Sequence, residues 1–294
     1  MLRYWHEFLF QKIDVRQYAL LRIGLGSLIV LYLINLMPLF PSQFGPEGWL
    51  DAKTDLDLYH AGSWSILFLI ESTVQAQMFF WLVLVSALAF TAGFLTRTTG
   101  FITLVGLISL WNRNPLIMDG DDALLRITLF YLLLSPSGNA LSIDVRLRQR
   151  KRSAEIWPLR MIRAQLILVY FISGWVKFHS PEWLDGTVLQ YVLIHPEYSR
   201  WNMSGLMEYP FFLHLLGGLS FLVMWWELLF PILVLWRFSR STAIIAGVAF
   251  HTALLLLMHL RLFSVIMLVL YIAWIPQPLP AWIAKTSKRI KPPV

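Results

Sequence analysis

Eight apolar runs, each closed by a polar or charged break, leave this 294-residue chain few ways to fold. They lie near Tyr18–Phe40, Met78–Leu95, Thr99–Trp111, Ala123–Leu134, Leu159–Lys177, Phe211–Trp236, Thr242–Met258 and Leu262–Ile275. A helix needs roughly 17–25 mostly apolar residues to cross the hydrocarbon core, and backbone that faces lipid must satisfy its own hydrogen bonds. Runs with so little alternation read as helices rather than strands. The expected class is all-α: a polytopic membrane helical bundle of about eight transmembrane helices. The third, fourth and eighth runs are short, so they borrow flanking residues or stop partway.

Hydrophobic residues make up 57% of the chain and charged ones 14%, more apolar surface than a soluble chain of this length can bury. The net charge of +7 resides in short loops between the runs. It therefore reads as membrane orientation, with the lipid bilayer as partner and no nucleic acid. Zero cysteines exclude a disulfide framework, thiolate chemistry and Cys-ligated metal sites. The first run is long and has no small-residue cleavage site after it, so it is expected to be retained as a span.

Basic and acidic residues alternate between connections. Arg3, Lys12 and Arg16 precede the first run, Arg97 lies in the second connection, and Arg146, Arg148, Arg150, Lys151 and Arg152 in the fourth. Arg237 and Arg240 lie in the sixth, and Lys285, Lys288, Arg289 and Lys291 in the tail. Acidic groups take the other side: Glu47, Asp51, Asp55, Asp57 and Glu71, then Asp119, Asp121 and Asp122, then Glu182, Asp185, Glu197 and Glu208. Basic loops stay cytoplasmic. Residues 1–294 thus read as one integral membrane domain with both termini cytoplasmic and a short basic tail at 281–294. The two long outer connections, 41–77 and 179–210, carry Trp49, Trp64, Trp183, Tyr191, Tyr198 and Trp201. Those aromatics either anchor at the headgroups or roof an outward-opening cavity.

Ionisable groups in or beside a span are costly unless paired or wet, so they are where function is sought. They are Arg22, Arg126, Arg163, Lys177, Glu227, His251, His259 and Arg261. Arg22 and Arg163 sit close enough to cytoplasmic ends to snorkel. Arg126 follows Asp122 by four residues, which puts the two on one helical face; the alternative is a wet pocket that reaches in from the polar segment 111–122. Pro231 deprives the carbonyl near residue 227 of its helical donor. Glu227, in the otherwise apolar stretch before it, reads as the structural partner of Arg22 or Arg163, with a catalytic role as the alternative. His251 stands mid-span, where an interhelical hydrogen bond is the ordinary reading and a proton carrier the functional one. No metal motif, Gly-rich phosphate loop or nucleophile elbow is present.

Lys177 closes a long apolar run, Tyr170-Phe171-Ile172-Ser173-Gly174-Trp175-Val176-Lys177, ahead of Trp183-Leu184-Asp185-Gly186. An ammonium at the mouth of an aromatic bundle loses solvation, which favours the neutral amine, and a neutral amine is a general base. The alternative is a lysine that snorkels outward to Asp185 or the headgroups.

This segment resembles the stretch around the catalytic lysine of vitamin K-dependent gamma-carboxylases. Arg22-Ile23-Gly24-Leu25-Gly26, Trp111-Asn112-Arg113-Asn114-Pro115 and Ser142-Ile143-Asp144 are similar to further pieces of the same pattern. Together they resemble the HTTM transmembrane domain, which those carboxylases share with many bacterial proteins, over roughly residues 10–280. In the carboxylases, the resemblance implies, a lysine deprotonates a reduced naphthoquinone and oxygen converts it to a strong alkoxide base. That base removes a glutamate γ-proton before carbon dioxide adds. Lys177 falls on the lysine position. Asn114 stands where the family has a histidine, and an amide can orient an amine without exchanging its proton. The large soluble domain of the carboxylases is missing, so peptide carboxylation by this chain alone is not expected.

Two functions follow. The first is a carboxylase-like lyase or quinone-dependent enzyme of the plasma (inner) membrane of a bacterium, multi-pass. Lys177 would be its base, Asn114 and His251 catalytic neighbours, and Asp122, Arg126, Trp183 and Asp185 substrate-binding groups. A reduced quinone would be its cofactor. The second is a non-catalytic membrane scaffold, immunity or peptide-maturation protein with a membrane or secreted peptide partner.

Overall fold

All eight apolar runs are helical in the computed structural model, which describes residues 2–49, 64–117, 119–147 and 153–276. Asp51, Asp55, Asp57, the basic cluster Arg148–Arg152 and the tail 281–294 lie outside the described residues. Among the described residues, five helices are long and apolar enough to cross a membrane: Arg16–Phe44 taken with its terminal turns, Thr73–Ala92, Trp157–Phe178, Pro210–Leu235 and Arg240–Leu257. The remaining three runs form Thr96–Arg113, Gly120–Leu134 and the shorter apolar segment Phe263–Trp274. The chain divides into two compact units. Residues up to Arg160, with Ile275 and Pro276, form the first, and Met161–Trp274 the second.

In the first unit, α1 (Leu2–Phe10) leads into β1 (Lys12–Asp14), followed by α2 (Arg16–Leu36), α3 (Phe40–Phe44), α4 (Thr73–Ala92), α5 (Thr96–Arg113), α6 (Gly120–Leu134), α7 (Ile143–Leu147) and β2 (Ser153–Glu155). The strands pair antiparallel, with Ile13 opposite Ala154. Tyr18 fastens this junction: its hydroxyl donates to Glu155 O at 2.6 Å and accepts from Leu159 N at 3.2 Å. One orphan donor at the start of the next helix is thereby satisfied.

Arg22 does not snorkel. It is fully buried in α2 and donates to the carbonyls of Ser137 (2.5 Å), Ala140 (3.3 Å) and Leu141 (2.5 Å). A guanidinium carries five donors in a fixed fork, enough to organise a whole turn of irregular backbone. Asp144 completes the knot: it accepts from Leu95 N at 2.9 Å, Thr96 N at 3.0 Å and Thr96 Oγ1 at 2.7 Å, and so satisfies the first turn of α5.

The second unit contains most of α8 (Trp157–Phe178), then α9 (Pro181–Leu184), α10 (Val188–Val192), α11 (Pro210–Leu235), α12 (Arg240–Leu257) and α13 (Phe263–Leu270) with its 3-10 extension Tyr271–Trp274. One face of α8 is polar along its length. Arg163, Tyr170 and Lys177 recur every seven residues, about two helical turns. Arg163 donates to Ala273 O at 2.8 Å and lies over Trp274. The segment before α11 closes over the end of α12: Arg200 Nε donates to Met258 O and Trp201 Nε1 to Leu256 O, both at 2.8 Å. A cation there suits the negative end of the helix dipole.

Candidate functional site

Gly174 decides how α8 meets α11. A Cβ at that position would lie 2.4 Å from Leu228 N and 2.9 Å from the Glu227 carbonyl carbon, so only glycine lets the two backbones touch there. The contact falls one turn before Pro231, where the Glu227 carbonyl has no helical N–H partner. Close approach at Gly174 brings the polar face of α8 onto Glu227. Lys177 Nζ donates to Glu227 Oε2 at 2.5 Å and to Ser173 Oγ at 2.6 Å. The ring of Trp183 lies 4.9 Å from Nζ, within cation–π range. The lysine side chain is 18% exposed and that of the glutamate 7%.

One expectation changes here: Glu227 pairs with Lys177, not with Arg22 or Arg163. Of the two directions open to Lys177, the side chain takes the inward one, to Glu227, rather than the outward one, to Asp185. Asp185 is exposed and accepts from Thr187 N (2.9 Å) and Thr187 Oγ1 (2.6 Å). Those bonds hold its carboxyl below the usual aspartate range. The position of Lys177 also changes. Glu227 stands seventeen residues past Pro210 and eight before Leu235, roughly 26 Å and 12 Å along α11 at 1.5 Å per residue. Lys177 therefore lies against the last third of α11 instead of at its first turns. After α8 the chain continues along α11 toward the start of that helix: Ser220 Oγ donates to Gly186 O and Gln190 Nε2 to Leu213 O, both at 3.4 Å.

His251, 1% exposed in α12, has no hydrogen-bond partner on either ring nitrogen among the described residues. The interhelical hydrogen bond expected for it is absent, because its neighbours are rings: Tyr170 at 5.8 Å, Phe263 at 5.7 Å, Phe250 at 5.2 Å and Tyr271 at 6.5 Å. The hydroxyls of Tyr170 and Tyr271 bond each other at 2.7 Å. The missing side chain of Gly247 makes the room, since a Cβ there would fall 1.8 Å from the Tyr271 oxygen. The charge of Lys177 acts on His251, and that of Glu227 on Tyr170. Lys177, Ser173, Glu227, Tyr170, Tyr271 and His251 thus form one polar layer in an apolar bundle.

The other predicted site residues belong to the first unit. Asn114 is buried and committed: Nδ2 donates to Gln43 O at 3.0 Å, and Oδ1 accepts from Leu116 N at 3.2 Å. Asp122 accepts from Asp119 N at 2.9 Å in a capping box that starts α6. Arg126 lies over Trp111, 4.1 Å from the ring, and feels the charge of Asp122 from the same helical face. A cavity of about 370 Å³ is lined by Leu95, Thr96, Arg97, Pro136 and Asp144, among others, and by none of the predicted site residues. Trp49, Trp64, Tyr191, Tyr198 and Trp201 are exposed, as headgroup anchors would be, whereas Trp183 is half-buried against Lys177.

The model of one family, the HTTM domain, matches residues 10–277. The chain belongs to the HTTM-domain family. The HTTM domain is the transmembrane module of vitamin K-dependent carboxylases, and this HTTM protein is a multi-pass membrane protein. No solved structure matches it. The short sequence pieces shared with the family mark joints of the HTTM domain. Arg22 of the first piece reaches the backbone beside Ser142 of the third, and Asp144 of that piece caps α5. In the second piece, Arg113 donates to Gly45 O, Asn112 to Trp64 O and Asn114 to Gln43 O. Ser173 was not singled out from the sequence, although its place four residues before Lys177 puts it on the same face. The Tyr170–Tyr271 pair had no sequence signal, since it spans 101 residues.

Proposed function

We propose that this HTTM-domain protein is a membrane enzyme in which Lys177 serves as general base toward a hydroxyl of a quinol or other lipidic substrate. The supporting observation is an ion-paired lysine inside an apolar bundle, beside an aromatic face, on the lysine position of the carboxylase motif. An ammonium has three donors. Ser173 and Glu227 use two, which leaves one N–H for a substrate oxygen next to the Trp183 ring. That arrangement fits a flat ring with a hydroxyl, as a reduced quinone has. A bound reduced quinone would supply a weakly acidic hydroxyl whose anion is electron-rich. Trp183 would hold the ring, Lys177 would orient and deprotonate the hydroxyl, and the surrounding apolar side chains would keep water out. His251 would line the same layer.

All eight helical runs would span the plasma (inner) membrane of a bacterium as a single membrane domain. Both termini would be cytoplasmic, a reading that rests on the alternation of basic and acidic connections. The test is mass spectrometry of small molecules that co-purify with the wild type and with Lys177→Ala, both in mild detergent. A quinone or lipid held by the wild type and lost from a folded Lys177→Ala is the expected result. An identical set of bound molecules in both overturns the assignment.

A second reading is a non-catalytic scaffold, immunity or peptide-maturation protein. One observation favours it: Lys177 already has a carboxylate partner at 2.5 Å, as a purely structural lysine would. Full cellular function in a protein that lacks the whole pair would establish that reading.

A further inference from the structure

We infer that the base is the Lys177–Glu227 pair and that Glu227, acting through Lys177, is the final acceptor of the substrate proton. The inference rests on the reading of Lys177 given above. An ammonium has no lone pair, so Lys177 held 2.5 Å from a carboxylate accepts nothing until it has given a proton up. Of its two hydrogen-bonded neighbours, Ser173 is a neutral hydroxyl and Glu227 a carboxylate; only the second takes a proton readily. Exposure orders the two groups, with the lysine at 18% toward the approach and the glutamate at 7% behind it. The nearby Tyr170 and Tyr271 hydroxyls are bonded to each other, and among the described residues neither ring nitrogen of His251 has a hydrogen-bond partner.

The step balances. Lys177 passes one proton along its bond to Glu227 Oε2 and takes the proton of the substrate hydroxyl in its place. One N–H and one O–H bond break; one O–H and one N–H bond form. Before the step the site holds an ammonium, a carboxylate and a neutral hydroxyl. Afterwards it holds an ammonium, a neutral carboxylic acid and an oxyanion, which replaces the carboxylate as counter-ion. No net charge appears in the apolar interior, where an unpaired one is expensive. The ligand class is a flat aromatic compound with a weakly acidic hydroxyl, and the glutamate is what makes an already protonated lysine a base.

Infrared difference spectroscopy of the full chain in lipid nanodiscs tests this, with 1-naphthol as the probe because its neutral and ionised forms differ in ultraviolet absorption. The expected result is a bound probe that absorbs as its anion, together with a new carbonyl stretch from a protonated carboxylic acid. That stretch is expected to vanish in Glu227→Gln and to shift in Glu227→Asp. An ionised probe with no carboxylic acid signal in the wild type overturns the relay and leaves Lys177 a simple base. The same signal at full strength in a folded Glu227→Gln also overturns it. A probe that stays neutral or unbound overturns both readings. Since the wild-type spectrum alone can refute the relay, the test holds even if a variant fails to fold.

Discussion

Consider what happens to stability when the buried pair is dismantled one side at a time. Replacing Lys177 with Met leaves Glu227, 5% exposed, without its cation. Replacing Glu227 with Leu leaves Lys177 facing apolar side chains and a single hydroxyl. Removal of one partner from a buried pair costs about 3–5 kcal/mol, and Lys177 is only 18% exposed, so solvent relieves little of it. Polar partners inside membrane bundles tend toward weaker coupling than in water-soluble cores. The lower end, about 3 kcal/mol for each single change, is therefore the figure to expect, which corresponds to a little over a hundredfold in the unfolding equilibrium at roughly 1.4 kcal/mol per decade. The double variant Lys177→Met with Glu227→Leu removes both charges and refills the volume with apolar side chains. It should unfold within about 1 kcal/mol of the wild type or more stably. The assay is reversible unfolding in mixed micelles, followed by tryptophan fluorescence and analysed as a double-mutant cycle. Single variants that each cost under about 1 kcal/mol, or a double variant whose loss is the sum of the two, would refute the argument that this is a tightly coupled buried pair. A stable double variant that has lost its bound ligand would separate chemistry from stability.

Three further outcomes follow from the geometry. Gly174→Ala puts a Cβ 2.4 Å from Leu228 N, against backbone that cannot rotate away, so α8 and α11 must part; a loss of about 1–3 kcal/mol is expected in the same unfolding assay, and an unchanged midpoint would contradict the close contact. Arg22→Lys keeps the charge but loses the fork that reaches three carbonyls, and should cost about 2 kcal/mol, seen as faster proteolysis of the segment that follows α6. Asp185 has its pKa lowered by Thr187, so its contribution to the turn is complete above the ordinary aspartate range and is lost only as pH falls through the lowered value. Protection of the Thr187 amide from exchange should therefore persist below the usual aspartate range and fall in Asp185→Asn; loss at the ordinary aspartate pKa would contradict it.

The helices were legible because apolar length alone defines them, and their ends moved where polar residues join a turn. Thr73–Ala92 begins five residues before the predicted Met78 because Thr73, Gln75 and Gln77 count as loop in composition while Ser72 stands at the N-cap position. Lys177 stood out because a lysine ending an apolar run is unusual. Its partner did not, since the end of an apolar run gives no depth when the chain continues along α11 beyond it, toward the start of that helix. Glu227 was recognisable as a group in need of a cation, but which cation depended on the crossing at Gly174. The environment of His251 comes from α8, α12, α13 and the turn after it, so nothing local announced an imidazole enclosed by rings.

Arg22 has a consequence for how the chain is made. Its three carbonyl partners lie 115 to 119 residues further on, beyond α6. At roughly 5–20 residues per second of synthesis, the first helix precedes them by about 6–24 s. During that interval an arginine in the second turn of a membrane helix has no protein partner from that loop, and its placement in hydrocarbon is unfavourable, toward a ceiling of about 2.5–3.5 kcal/mol that insertion scales give at a helix centre. The nascent first helix must therefore sit shallowly or lean on the insertion machinery until the later turn arrives, and the arrival of that turn is what locks the helix at its final depth.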